Sequence, residues 1–296
     1  MAKSASGVSE RLKARKIRRH NRSLGGDIFL TVFLMIFSLF SLFPIIYIVA
    51  NAFKPLNEVF LFPPTLYVRN PTLNNFRDLK TIFEGFDIPL SRYLFNTVII
   101  IVFGTLFTVI FGSMAAYPLA KYRFPGSRFL SNLIVYSLMF SSTVVAIPNY
   151  LIMSGLHLVN TLWAVILPTV GSTLGLYLMK NFMVQIPDDM IEAAKIDGAK
   201  EIVVFWKIIM PLCKPAWITL IILSFQTLWG TTGGVFLYSE NLKPLSYVLS
   251  QVVSSGISRT GVSAAIALIL LLIPAIVFEI SQSNVMETMA TSGLKS

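Results

Sequence analysis

The sequence predicts an all-helical protein that crosses a membrane six times. Of its 296 residues, 55% are hydrophobic and only 13% are charged, against ~25% charge in ordinary soluble domains. Six stretches lack Asp, Glu, Lys and Arg for long enough to cross a hydrocarbon layer of ~30 Å. The mean hydropathy of +0.72 agrees with this class and argues against a disordered chain or a soluble enzyme.

The predicted spans are spread along the whole chain. They cover residues 28–53, 93–119, 129–153, 162–179, 216–238 and 261–278. The first span follows a basic leader and ends in Ala50-Asn51-Ala52, a sequence of the form that a signal peptidase cleaves. Its apolar core of about 25 residues exceeds the ~7–15 residues of a cleaved signal, so we expect an uncleaved anchor.

The distribution of basic residues predicts the orientation. With a cytoplasmic N-terminus, the inside segments carry 17 Lys and Arg residues and the outside segments carry 7. Because basic residues favour the cytoplasmic side, both termini are expected there. The sequence predicts a basic cytoplasmic leader (1–27), a six-span domain (28–283) and a cytoplasmic tail (284–296). Two loops are long: the proline-rich segment 54–92, expected to fold as an extracellular cap, and the inside segment 180–215.

The span centres lack the residues that drive chemistry in a membrane. They contain no Asp, Glu, His, Lys or Arg, which mark proton and sodium relays, and the chain has no phosphate-cradling G-x-x-x-x-G-K-[ST] loop. We therefore predict no catalytic residue and no metal ligand, and energy for uphill transport would come from a partner. Eight basic residues fall within the first 22 positions without interleaved aromatics. The net charge of +10 thus predicts membrane orientation rather than nucleic-acid binding.

The inside loop predicts two short helices. Pro187 suits the first helical position, the two aspartates that follow it favour the positive helix end, and Gly198 suits a left-handed C-terminus. This first helix would have about 11 residues. A second, at about residues 199–209, would stop before Pro211. From these signals alone, the loop could equally be an amphipathic hairpin lying on the cytoplasmic face of the membrane.

The residue spacing in this loop resembles a family signature. The residues Glu192-Ala193-Ala194, Gly198, Ile208, Met210 and Pro211 follow the pattern E-A-A-x3-G-x9-I-x-L-P, with Met210 in place of Leu. This pattern is the signature of binding-protein-dependent ABC importer permeases. From about residue 54 to its C-terminus, the chain looks like the six-span, maltose-type branch for carbohydrate uptake.

The resemblance implies the type I ABC importer permease fold, in which this loop forms a coupling helix that docks into a cytoplasmic ATPase. Glutamate at the motif's first position would make a polar contact, the alanines would let the helix seat closely, and the glycine would make the turn between the two helices. The residues implied to couple the chain to the ATPase are Glu192, Ala193, Ala194, Gly198, Ile208 and Pro211.

The resemblance also implies the partners. These are a second, different permease subunit, two cytoplasmic ATPase subunits, an extracellular or periplasmic solute-binding protein and the lipids of a bacterial cell membrane. ATP and Mg²⁺ would bind the ATPase, and this chain would hold no cofactor. The tail at 284–296 resembles a segment that reaches between the ATPase subunits, but it could equally be a frayed polar end.

The fifth predicted span, residues 216–238, carries polar and aromatic residues in an otherwise apolar stretch. Gln226, Thr227, Trp229 and Thr231 suit sugar hydroxyls and ring faces and form the candidate substrate path. They could equally serve helix–helix contacts. The expected function is ATP-driven import of a carbohydrate, specifically an oligosaccharide, by alternating access. The alternatives are a sugar phosphate, polyol or other polar solute as cargo, or a self-sufficient secondary carrier or channel.

Overall fold

The structure is a computed structural model that describes residues 24–85, 87–254 and 260–292. All regular secondary structure in these ranges is helical, which confirms the all-α class. The described α-helices, labelled in chain order, are α1 (Leu24–Phe53), α2 (Leu56–Val59), α3 (Asn74–Glu84), α4 (Leu90–Lys121), α5 (Ser127–Ser137), α6 (Ser142–Gly155), α7 (Trp163–Val170), α8 (Thr173–Val184), α9 (Asp189–Ile196), α10 (Glu201–Val204), α11 (Met210–Leu212), α12 (Lys214–Trp229), α13 (Leu245–Ser254) and α14 (Thr260–Ser292). Residues 1–23 of the expected leader and residues 293–296 of the expected tail lie outside the described residues.

Three described helices are long and apolar enough to cross a membrane in one piece: Gly25–Phe53 in α1, Leu90–Lys121 in α4 and Thr260–Ile280 in α14. A fourth candidate is the bent pair Glu201–Leu212 and Lys214–Trp229, whose two parts meet at 77°. The remaining predicted spans are each divided between two short helices, α5 with α6 and α7 with α8. The six predicted stretches are therefore largely helical, but only three form an unbroken rod.

The interruptions have local causes. The Ser141 side chain accepts a hydrogen bond from Thr143 N at 3.3 Å and starts α6, and Ser172 likewise accepts from Gly175 N at 3.2 Å and starts α8. A serine oxygen that binds a helix's free N–H groups favours a new helix start over continuation of the preceding one. Span five was predicted to reach residue 238, but α12 ends at Trp229. A left-handed backbone at Gly233, with φ of 77°, directs the chain away from the helix axis.

Helix α4 is the centre of the bundle, with α7, α8 and α12 packed around it, while α1 packs on α14. Two glycines permit the closest approaches. A Cβ atom at Gly104 would lie 2.7 Å from Leu228 Cδ1, and one at Gly175 would lie 2.8 Å from Leu220 Cδ1. Because these distances are below van der Waals contact, a larger residue at either glycine would force the facing leucine side chain on α12 to move.

The segment after α1 is folded around two buried charged side chains. Lys54 donates to the Asn51 Oδ1 atom and to the Thr65 carbonyl, and only 2% of the residue is exposed. Glu58 accepts from Arg69 N at 3.0 Å and from Asn70 N at 2.9 Å. These bonds close the chain between α2 and α3 into an ordered cap. Its extracellular position stays a prediction from the charge count.

Candidate functional site

Helix α9 begins at Asp189, two residues later than the sequence predicts. Asp188 is its N-cap, because the Asp188 carbonyl accepts from Ile191 N at 2.9 Å and from Glu192 N at 3.0 Å. Pro187 therefore precedes the helix instead of occupying its first position. The helix has 8 residues rather than about 11, because it starts two residues later and ends one residue earlier than the sequence predicts.

Gly198 closes α9 with the left-handed conformation that was predicted, at φ of 78°. The Gly198 N–H donates to the Lys195 carbonyl at 3.0 Å, and the Ala199 N–H donates to the Ala194 carbonyl at 3.0 Å. This pair of bonds is a Schellman motif, which satisfies the carbonyl groups left free at a helix end. The motif fixes the angle at which the chain leaves α9 toward α10.

One face of α9 is buried and the other is free. Ile191 is 5% exposed and lies in a core built from the ends of α4, α8, α10, α11 and α12. Glu192 and Ala193 are exposed, Ala194 is half-buried, and Ile196 is 86% exposed. The helix therefore presents a small apolar surface with two carboxylates, Asp189 and Glu192, while Ile191 anchors it in the bundle at a gain of ~1.5–3 kcal/mol.

The second helix of the loop does not stop before Pro211. The chain is helical from Glu201 to Leu212, with a π-helical turn at Phe205–Ile209 between α10 and α11. In this turn the Met210 N–H donates to the Phe205 carbonyl. A π turn widens the spiral, which relieves the clash that a proline ring makes with the carbonyl four residues earlier. Pro211 is exposed, and the half-buried Ile208 packs on the same core as Ile191.

A polar network ties α9 to α4. Lys195 Nζ lies 2.7 Å from Glu201 Oε1 and donates to the Tyr122 hydroxyl at 2.9 Å. The Tyr117 hydroxyl donates to Glu201 Oε2 at 3.0 Å. The hydrogen bond from Lys195 lowers the pKa of Glu201, and the same bond raises the pKa of Lys195. Both groups are therefore charged near neutral pH, and they close the α9–α10 turn onto the end of α4.

A second contact holds the start of the loop. Lys121, the last residue of α4, donates to the Ile186 carbonyl and to Asp188 Oδ1, the latter at 2.7 Å. Its side chain is only 3% exposed. Sequence reasoning missed Tyr117, Lys121 and Tyr122 as parts of this site, because they lie more than sixty residues before the loop and no local pattern joins them to it.

The structure separates the four residues of the candidate substrate path. Gln226 and Thr227 are exposed on α12, and the Thr227 hydroxyl donates to the Leu223 carbonyl at 3.0 Å. Trp229 is buried and its indole Nε1 donates to the Leu270 carbonyl at 3.2 Å, so it joins α12 to α14. Thr231 lies beyond the helix end and is half-buried. Within the described residues, no group of three or more His, Cys, Asp or Glu is arranged to hold a metal ion.

Comparison with known proteins connects this loop to a transport family. Residues 108–286 match the family described as binding-protein-dependent transport system inner membrane component. Protein LplC of Bacillus subtilis is 36% identical over 220 residues, which is 72% of this chain and 70% of LplC. The polygalacturonan/rhamnogalacturonan transport system permease protein YtcP of the same organism is 32% identical over 234 residues, 78% of this chain and 79% of YtcP.

Two further matches come from similar systems. The arabinooligosaccharides transport system permease protein AraQ of Bacillus subtilis is 31% identical over 201 residues, 68% of this chain and 71% of AraQ. A crystal structure of a bacterial ABC transporter that imports the acidic polysaccharide alginate has a chain of the same fold. The TM-score is 0.76 at 26% identity, and the match covers 88% of this chain and 98% of that one.

Proposed function

Because the chain belongs to the family of binding-protein-dependent transport system inner membrane components, we propose that it is the permease subunit that carries an oligosaccharide through an ATP-driven importer. Its relatives support the cargo class. Their names refer to arabinooligosaccharides and to polygalacturonan and rhamnogalacturonan, and the solved importer takes alginate. All of these are oligomers or polymers of sugars, and this shared chemistry favours a saccharide over a sugar phosphate or a simple polyol.

Helix α9 is proposed as the coupling helix. The observation that carries this assignment is its division into a buried anchor, Ile191, and an exposed surface formed by Glu192 and Ala193 and bordered by the half-buried Ala194. Small side chains allow a partner surface to approach the helix closely, and the Glu192 carboxylate supplies a directed polar contact. A cytoplasmic ATPase subunit is the partner that this surface would meet.

Movement of the ATPase would reach the bundle through the contacts of this loop. Displacing α9 would pull on the end of α4 through the Lys195–Tyr122 hydrogen bond and through Lys121 with Asp188, while Ile191 moves with the core. A packed core transmits such a displacement because it is nearly incompressible. ATP and Mg²⁺ would act on two ATPase subunits, and closure of their dimer would drive alternating access.

The remaining partners complete the proposed machine. A second permease of a different sequence would form the other half of the path, and a solute-binding protein would deliver the sugar on the outer side. The charge bias between loops supports a cytoplasmic location for both termini, in a bacterial cell membrane. The folded cap between α1 and α4 would then face the binding protein.

Uptake by cells with and without the chain tests this function. Cells lacking it would be given arabinooligosaccharides, oligogalacturonides and alginate oligomers, with glycerol 3-phosphate and sorbitol as the competing cargo classes. The proposal predicts that import of at least one oligosaccharide requires both the chain and ATP. Chain-dependent import of only the phosphate or the polyol would overturn the cargo, and solute movement by the purified chain alone without ATP would indicate a self-sufficient carrier or channel.

A further inference from the structure

A cavity lies where the fourth predicted span is broken. It has a volume of about 300 Å³ and lies between the α7–α8 break and the facing side of α12. This size is at the lower end of the ~300–1,000 Å³ found for small-molecule sites. Four hydroxyl side chains line it among leucines, and we call it the hydroxyl cavity. They are Thr169, Ser172, Ser224 and Thr227.

The four hydroxyls offer both hydrogen-bond donors and acceptors. Thr169 and Thr227 use their protons on the Ile166 carbonyl at 2.7 Å and the Leu223 carbonyl at 3.0 Å, so their lone pairs stay available. Ser172 accepts from Gly175 N and keeps its proton. The Ser224 hydroxyl has no hydrogen-bond partner in the part of the chain that the structure describes. Since one hydroxyl can donate once and accept twice, a hydroxyl-rich ligand would find partners of both kinds.

The helix break is held firmly beside α4. The Thr108 hydroxyl on α4 donates to the Thr169 carbonyl at 3.0 Å, which fixes the end of α7. On the other side of the break, the absence of a side chain at Gly175 lets Leu220 pack against α8. The cavity walls are therefore set by close contacts among four helices, α4, α7, α8 and α12. Broken helices that meet at a polar site are a recurring feature of transporter binding sites.

The cavity lies deep along α12. Ser224 and Thr227 follow Lys214, the first residue of that helix, by ten and thirteen positions, which corresponds to ~15 and ~20 Å at 1.5 Å per residue. This depth falls within a hydrocarbon layer of ~30 Å. None of the lining residues is charged. A neutral polyhydroxylated group can exchange water for these hydroxyls at little cost, whereas a phosphate would lose its hydration without meeting a cation.

We propose that the hydroxyl cavity is a transit site for a neutral sugar ring of the imported saccharide. The inference rests on the proposed function and specifies which residues of this chain contact the cargo. Thr227 was among the candidates from the sequence, whereas Thr169, Ser172 and Ser224 emerge only from the fold. Trp229 has its indole N–H committed to α14 and is not part of this site.

The test uses the assembled transporter in proteoliposomes, with uptake of arabinooligosaccharides supplied on their binding protein. Thr227→Val removes the hydroxyl at nearly constant volume, and Thr227→Ser retains it. We expect Thr227→Val to raise the KM of uptake about 5-fold, the factor for one lost hydrogen bond of ~1 kcal/mol. Adding Ser224→Ala to Thr227→Val should raise the KM further, while Thr227→Ser should keep the KM at the wild-type value. Thr219→Val, on the same helix but outside the cavity, should leave KM unchanged, since Thr219 only bonds the Pro215 carbonyl.

Protection from labelling gives a second readout that does not depend on transport rates. Cys213 is the only cysteine in the sequence and is buried, so Cys213→Ala provides a background for Thr227→Cys and Thr219→Cys. Arabinooligosaccharides should slow the thiol labelling of Thr227→Cys and leave the labelling of Thr219→Cys unchanged. Unchanged KM in the Thr227 and Ser224 variants, or labelling of Thr227→Cys that sugar does not slow, would overturn the transit site. If the wild-type transporter takes up none of the arabinooligosaccharides, oligogalacturonides and alginate oligomers, the result would instead count against the proposed function.

Discussion

Replacing Gly198 by Val tests the turn that ends α9. The wild-type φ of 78° lies in the left-handed region, and a Cβ atom built there meets no atom within 4 Å. The penalty of Gly198→Val is therefore backbone strain alone, at least the ~1–2 kcal/mol of a non-glycine residue in this region. That energy lowers the equilibrium constant for forming the native turn roughly 5–30-fold. It is small beside a folding stability of ~5–15 kcal/mol, so the variant should still insert and fold.

The assay is oligosaccharide uptake and ATP hydrolysis by the assembled complex in proteoliposomes. We expect Gly198→Val to reduce uptake roughly 5–30-fold and to raise the ATP consumed per sugar imported. Gly126→Val is the matched control, because Gly126 also has a positive φ, 89°, and empty surroundings. Gly198→Asn is the second control, since asparagine adopts the left-handed conformation more readily than other residues.

The outcome is decisive in either direction. Loss of uptake in Gly198→Val, with near-normal uptake in both control variants, would show that the angle between α9 and α10 carries the coupling. Wild-type uptake by Gly198→Val, or an equal loss in Gly126→Val, would refute the reasoning.

Further predictions concern the network, the docking surface and the cap. The hydrogen bond from Lys195 lowers the pKa of Glu201 below its ordinary value of 4.5. The Lys195–Glu201 ion pair is therefore intact above pH 4.5 and is lost as the pH falls through the lowered pKa. Uptake per ATP should therefore decline in acid for the wild type, but be low and flat in Glu201→Gln. Ala194→Asp places a charge on the half-buried face of α9 and should abolish sugar-stimulated ATP hydrolysis while membrane insertion, followed by fractionation, is unchanged. Glu58→Ala leaves backbone N–H groups without an acceptor and should cost ~3 kcal/mol in thermal unfolding in detergent, whereas the exposed Glu84→Ala should cost nothing measurable.

Local signals in the sequence were sufficient for the α9 region. A glycine after an amphipathic segment predicts a left-handed helix end, and Gly198 has that conformation. Hydropathy likewise located the three unbroken apolar helices, because a long charge-free stretch is typical of a membrane-spanning helix. Of the candidate coupling residues, Glu192, Ala193 and Ala194 lie on α9 and Gly198 lies in the turn that follows it. Ile208 and Pro211 lie in the second helical segment of the loop.

Other features depend on contacts between distant parts of the chain and could not be predicted. Tyr117 and Glu201 are separated by 84 positions, and nothing in either local sequence indicates their hydrogen bond. The break at Ser172 was hidden because a hydropathy average does not distinguish a capping serine from one inside a helix. The early end of α12 was missed for the same reason, since residues 230–233 are uncharged although their backbone is not helical.

Cross-linking of α9 in the assembled complex tests the central claim most directly. In a Cys213→Ala background, Ala193→Cys would be labelled with a short maleimide–diazirine reagent, whose photoactivated carbene inserts into a bond of the protein that lies against it, and Thr81→Cys on the exposed surface of α3 would serve as the control. The account predicts that Ala193→Cys forms a covalent product with the ATP-hydrolysing subunit and that Thr81→Cys does not. Labelling of Ala193→Cys by an impermeant reagent added outside intact cells, together with no product containing the ATPase, would contradict it.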